Sequence, residues 1–231
     1  MANNIQSNLS KDKNYDDEAL KIGIGGKLSP ETNEGLYKKR MKKRKEIQSK
    51  RLEMRKSQKG LVIVFTGNGK GKTTASLGMA VRTLGHDQKV VIIQFIKGAW
   101  ETGEEKAFKK LFNNITWHSL GEGFTWETQD RIRDEECVIN AWQIAKKYIE
   151  DNSYKLIILD EINIAFKLGY LEPLEVVSFL KKLHNQNNHI VLTGRGAPKA
   201  ILEFADLVTE MNLIKHPFRD QGIKAQKCVE Y

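Results

Sequence analysis

Residues 61–74, LVIVFTGNGKGKTT, pass from an apolar run straight into three alternating glycines and two lysines. The β-branched run reads as a strand, and the TTASLGMAVRTLG that follows has helical spacing and stops at Gly85. A glycine-rich loop between a strand and a helix is a phosphate site. Backbone N–H groups at Gly67, Gly69 and Gly71 approach phosphate oxygens, Lys72 adds a charge, and the helix N-terminus adds its partial positive field. Thr73 is placed to hold Mg²⁺, while Asn68, Lys70 and Thr74 complete the nucleotide-binding set. One letter departs from the common pattern. Counting back from Gly71-Lys72-Thr73 puts Thr66 where the first glycine belongs, which suggests a loop shaped for another pose of the triphosphate.

The rest of the chain from Gly60 alternates between strands and helices. KVVIIQF (89–95), ITWHSL (115–120), YKLIILDE (154–161), HIVLTGRG (189–196), ADLVTEMNLI (205–214) and KAQKCVEY (224–231) read as strands or strand-to-loop transitions. Helices are expected over 103–112, within 127–151 and over 174–183. Val138, Trp142, Ala145 and Ile149 recur at steps of four, three and four, so they share one helical face and belong to the core. Continuous apolar strands alternating with helices predict an α/β fold with a mainly parallel sheet covered on both faces. Ligands in such sheets lie beyond the carboxyl ends of the strands, which singles out the loops 66–73, 95–100, 121–126, 160–163 and 193–197.

Two of those loops carry further chemistry. Asp160 and Glu161 close an apolar strand, where a carboxylate can hold Mg²⁺ opposite the loop threonine. An acid pair there could equally cap a helix. GEGFTWETQD places Phe124 and Trp126 among glycines at the ligand edge, suited either to covering a flat apolar group or to anchoring the loop on the core. A nucleoside triphosphate with Mg²⁺ is the inferred ligand. The cradle leaves hydrolysis, phosphoryl transfer and switching open.

The net charge of +9 is a property of one segment. Residues 38–59 hold twelve Lys or Arg against two Glu, leaving the other 209 residues with 26 basic and 27 acidic side chains. No nucleic-acid motif stands beside this run, so it reads as a solvated helix face and no nucleic-acid partner is expected. Ser29-Pro30-Glu31 announces that helix, running towards Lys59, and residues 1–28 read as a disordered extension. Residues 60–231 read as one domain that carries the phosphate loop. Apolar runs as short as Leu156–Leu159 cannot cross a bilayer, and residues 1–30 lack an apolar leader, so a soluble cytoplasmic protein with no membrane partner is expected. Cys137 and Cys228 form no metal or redox pattern and are expected to be buried thiols.

The segments VIVFTGNGKGKTTAS, QFIKGAW, GFTWETQD, LIILDEI, VLTGRGAP and KHPFRDQGIKAQKCVEY, in that order, resemble the P-loop type of corrinoid adenosyltransferase. The resemblance spans about Gly60 to Tyr231 and more loosely the basic helix. It implies a P-loop NTPase-like, six-stranded, mainly parallel sheet, a homodimer, and transfer of the 5′-deoxyadenosyl group of ATP to the Co(I) of a corrinoid, with tripolyphosphate leaving. It further implies a triphosphate lying in the reverse of the usual direction, with ribose C5′ exposed as the electrophile. Lys72 and Thr73 become the catalytic residues of the loop. By the same likeness Phe124 and Trp126 pack under the corrin ring, residues 30–58 fold over it as a lid, and a flavoprotein supplies electrons. Lys97 and Arg195, on predicted site-edge loops, become candidates for contacts with phosphates or corrinoid side chains. The alternatives kept open are a P-loop ATPase switch and a small-molecule kinase.

Overall fold

The computed structural model describes residues 34–54, 58–96, 102–121, 130–183 and 187–229. They fall into two units, Met1–Ser57 and Gln58–Tyr231. In the first, α1 (Glu34–Met54) is one helix of 21 residues. Among its described side chains the apolar Tyr37, Met41, Ile47 and Leu52 are spaced by four, six and five residues, so they build no continuous stripe. The expected start at Ser29–Glu31 and the extension 1–28 lie outside the described residues. The described helix runs to Met54, and Lys59 lies outside it. Lys59 belongs to the second unit, where its ammonium pairs with Asp206. The other Asp206 oxygen accepts the N–H of Val62 at 2.9 Å, tying this stretch to the first strand.

The second unit runs β1 (Val62–Thr66), α2 (Lys72–Leu84), β2 (Lys89–Gln94), α3 (Gly103–Leu111), β3 (Ile115–Ser119), α4 (Arg131–Glu150) and β4 (Tyr154–Asp160). It continues through α5 (Ile162–Leu168), α6 (Pro173–Lys182), β5 (His189–Thr193), α7 (Lys199–Phe204), β6 (Leu207–Glu210) and α8 (Pro217–Gln221). The six strands form one sheet in the order β3-β2-β4-β5-β1-β6. Every pairing is parallel, so the expected mainly parallel sheet is parallel throughout.

Period-two alternation explains why these strands read as unbroken apolar runs. Val64, Val91, Ile93, Ile157, Leu159, Ile190 and Leu192 point to one face, where α4, α5, α6 and Ile201 of α7 cover them. Ile63, Phe65, Val90, Ile92, Leu156, Ile158 and Val191 point to the other, against Leu77, Ala80 and Leu84 of α2 and Phe108 of α3. Val138, Trp142, Ala145 and Ile149 are buried as their spacing predicts.

Three expectations are corrected. The terminal segment 224–231 supplies no strand among its described residues: 227–229 form a turn in which Cys228 has φ 70, a left-handed conformation that ends extended backbone. The thiols are not both buried, since Cys228 is exposed and Cys137 half-buried. The strand expected over 205–214 shortens to β6, because after Glu210 the chain turns to bond the glycine loop.

Candidate active site

Parallel register brings the polar strand ends together. Gln94 lies opposite both Ser119 and Asp160, and Leu159 lies opposite Leu192, so Asp160 and Thr193 close neighbouring strands side by side. These ends face the glycine loop. Gly67 has φ 94, and a Cβ there would stand 2.4 Å from the carbonyl oxygen of Met211, so only glycine fits. The Gly69 N–H donates to that same carbonyl at 2.6 Å. The loop thus rests on the segment that follows β6. At its end Gly71 occupies the N-cap position of α2 without any side-chain cap, which leaves first-turn amides to an anion. Asn68, Lys70 and Thr74 are exposed around it.

Lys72 is 7% exposed. Its ammonium donates to the carbonyl of Gly67 at 2.9 Å and to that of Gly69. Burial pushes its pKa below the ordinary lysine value; the charges of Arg195 and Lys70 act in the same direction, and Glu161 and Asp160 oppose them. A bound polyphosphate would offset both the burial and the neighbouring positive charges.

Asp160 is 1% exposed, and its carboxylate accepts from Thr73, Thr193 and Gln94. Thr73 Oγ1 donates to its Oδ1 at 2.9 Å, Thr193 Oγ1 to the same oxygen at 2.7 Å, and Gln94 Nε2 to Oδ2 at 3.1 Å. The Gln94 amide has only one workable orientation. Trp117 Nε1, which can only donate, lies 3.2 Å from Gln94 Oε1, so the oxygen faces Trp117 and the NH₂ faces Asp160. The Ser119 hydroxyl donates to the same Oε1 at 2.9 Å.

Glu161 stands at the N-cap position of α5 with φ 62, and its side chain makes no capping bond, so the helix-cap alternative is not what the fold uses. Its N–H donates to Thr193 Oγ1 at 2.9 Å. Asn163 Nδ2 donates to the Gly194 carbonyl at 3.1 Å, while its buried Oδ1 has no partner. Arg195 follows on an exposed turn. Lys97, Phe124 and Trp126 lie outside the described residues.

A hard cation would find oxygen donors here. No group of three or more His, Cys, Asp or Glu able to hold a metal occurs among the described residues. The Thr73 hydroxyl and Asp160 carboxylate are already in contact, which fits Mg²⁺, an ion that keeps waters and takes phosphate oxygens as its remaining ligands. The residues that sequence reasoning missed are Gln94 and Thr193. Each is a polar residue ending an apolar strand, as Asp160 is, and that shared position was the available signal.

No helix among the described residues is long and apolar enough to cross a membrane. Residues 58–231 match the family model ATP:corrinoid adenosyltransferase BtuR/CobO/CobP. The chain is 47% identical to a corrinoid adenosyltransferase of Sinorhizobium sp, covering 90% of this chain and 97% of that one. It is 44% identical to one from Pseudomonas aeruginosa, covering 88% and 98%, and 40% identical to one from Escherichia coli K12, covering 84% and 97%. The alternatives of a switching ATPase and a small-molecule kinase fall away. A phosphate loop facing a strand-end carboxylate, within a chain similar to these relatives over most of its length, leads to one conclusion: the chain belongs to the ATP:corrinoid adenosyltransferase family and transfers the adenosyl group of ATP to a corrinoid.

Proposed function

We propose that the loop 67–73 grips the triphosphate of ATP as a leaving group and presents ribose C5′ to the corrinoid. The observation that carries this reading is the contact of Thr73 with Asp160 beneath an uncapped helix start, which sets an oxygen pair suited to Mg²⁺ beside amides free to bind phosphate. In the transfer, the electron pair of Co(I) forms the Co–C5′ bond, the C5′–O bond breaks, and its electrons leave with tripolyphosphate. No side-chain nucleophile is required; the protein orients the reactants and neutralises the departing charge. Lys72 serves the leaving group, together with the first-turn amides of α2 and with Gly67, Asn68, Gly69, Lys70, Gly71 and Thr74. Thr73 and Asp160, with Glu161 beside them, would hold Mg²⁺, which supplies Lewis-acid stabilisation of the phosphate oxygens when bound.

Phe124 and Trp126 are assigned to the lower face of the corrin ring, and Lys97 and Arg195 to contacts with phosphate or corrinoid side chains. The basic helix α1 is assigned to a lid over the corrinoid, in a homodimeric cytoplasmic enzyme served by a flavoprotein reductant. Deleting residues 1–58 should then weaken corrinoid binding more than ATP binding in calorimetry, and equal loss of both would remove the lid.

The test of the main reading is direct. The protein is incubated with ATP, Mg²⁺ and chemically reduced cobalamin, and the products are separated. Photolabile adenosylcobalamin with tripolyphosphate supports it; ADP with free phosphate sinks it.

A further inference from the structure

Thr66 stands where the common loop pattern has glycine, and its surroundings give that residue a task. It ends β1, is 7% exposed, and bonds to two other loops. Its carbonyl accepts the N–H of Met211 at 2.8 Å, which any residue could do. Its hydroxyl oxygen accepts the N–H of Ala197 at 3.1 Å, which glycine could not. Ala197 closes the turn Gly194-Arg195-Gly196-Ala197. The opening of that turn is held as well: Gly194 N–H donates to the Phe65 carbonyl at 3.2 Å, and the Gly194 carbonyl accepts Asn163 Nδ2 at 3.1 Å. Gly194 and Gly196 have φ of 124 and 71, so the turn is built from conformations that do not continue the β5 ladder. It depends on these outside bonds.

We propose that Thr66 is a positioning residue whose hydroxyl pins the Gly194–Ala197 turn so that Arg195 is held towards the triphosphate on the loop 67–73. This rests on the reading of Arg195 as a phosphate contact. Adjacency supports it, since the turn is anchored on the last two residues of the strand that feeds the phosphate loop. An arginine on an unanchored glycine turn must be ordered when ligand arrives, whereas a turn anchored beforehand has already met that cost. The departure from the common pattern therefore exchanges backbone freedom at position 66 for an anchor.

The test measures tripolyphosphate binding to the full chain by calorimetry in the presence of Mg²⁺. Arg195→Ala is expected to weaken binding about tenfold, the scale of one charge-assisted hydrogen bond. Thr66→Val, which keeps shape but loses the acceptor, should lose about three- to tenfold, and Thr66→Ser should remain within about twofold of the parent. Thr66→Gly, restoring the commoner pattern, should behave like Thr66→Val and gives a second route if the valine variant does not fold. The double variant Thr66→Val/Arg195→Ala should bind no more weakly than Arg195→Ala alone, because the two residues act through one contact. If Arg195→Ala binds like the parent, the Arg195 reading fails and takes the proposal with it. If Arg195→Ala weakens binding but the Thr66 losses are absent, multiply with it, or are not rescued by serine, the proposal alone is overturned.

Discussion

Thr73 and Asp160, 87 residues apart in sequence, meet through a 2.9 Å hydrogen bond at the base of the phosphate loop. The hydroxyl starts a helix and the carboxylate ends a strand, and neither neighbouring backbone forces the contact. Asp160→Asn would place an NH₂ against either the threonine hydroxyls or the Gln94 amide. We expect kcat to fall by about 10²–10³-fold, and by a similar factor in Lys72→Ala, because Asp160 would hold the Mg²⁺ that stabilises the leaving tripolyphosphate and Lys72 brings positive charge to it directly. Near-parental kcat in a variant with unchanged circular dichroism would contradict these roles.

Gln94 should act through Asp160. Gln94→Leu keeps approximate volume but deletes the donor to Asp160 Oδ2 and the acceptor of Trp117 and Ser119. Second-neighbour bonds to metal-holding groups are worth about 10- to 100-fold in metal affinity. The half-saturating Mg²⁺ concentration for ATP binding should rise within that range, while ATP binding in EDTA changes little. Equal weakening with and without Mg²⁺ would mean general damage to the site.

Trp142 is 1% exposed, packs edge-on against Phe179 at 5.4 Å, and donates to Glu175 at 2.9 Å. Trp142→Ala should cost about 3–5 kcal/mol in urea unfolding, mostly through the cavity it leaves. Trp142→Phe should cost much less, because the Glu175 side chain is half-exposed and regains water. Similar losses in both variants would shift the weight from packing to the hydrogen bond.

His189 Nδ1 accepts the N–H of Leu61 at 3.2 Å, so that nitrogen carries no proton in the fold. Burial lowers its pKa from the ordinary 6.5, with Lys155 adding to the effect, and burial lowers that of His118 as well. The unfolded chain therefore binds more protons below pH 6.5, and stability should be lost as pH falls from 6.5 through the folded values. Melting temperature should decline between pH 7 and pH 5, and His189→Gln, which still offers an acceptor but does not titrate, should flatten part of that decline. An unchanged slope would assign the decline to other groups.

Phe124 and Trp126 should matter most before the transfer itself. Aromatic side chains at the lower corrin face would expel the axial base, and removing an axial ligand changes the metal's potential. Phe124→Ala and Trp126→Ala should lose most activity when the assay starts from cob(II)alamin with a flavoprotein reductant, and keep a much larger share when cob(I)alamin is supplied. Equal losses in both assays would leave them as loop anchors.

What could be read from sequence followed from local rules. LVIVFTGNGKGKTT carries its own strand, turn and helix start, and the steps between Val138 and Ile149 define a buried face without reference to any partner. Asp160 was legible as a strand-end acid. Gln94 and Thr193 carry the same strand-end mark, but that they meet Asp160 depends on which strands are neighbours, and strand order is a non-local property. KAQKCVEY misled for the opposite reason: its composition tolerates a strand, but Cys228 takes a left-handed turn. Glu161 was ambiguous in sequence, and its backbone conformation at the start of α5 separates carboxylate from cap.

The strand order has a consequence for synthesis on the ribosome. β1 emerges first, yet its two neighbours are β5 and β6, the last strands to be made. β2, β3 and β4 pair among themselves and can associate as soon as residue 160 is free. The glycine loop must therefore wait, attached to an unpaired apolar strand, until about fifty further residues have appeared, a few seconds at ordinary elongation rates of about 5–20 residues per second. During that interval β1 is the segment most exposed to misassociation and chaperone capture. The nucleotide, whose loop takes its final shape only after Met211 arrives, can reward only a chain that has reached that residue.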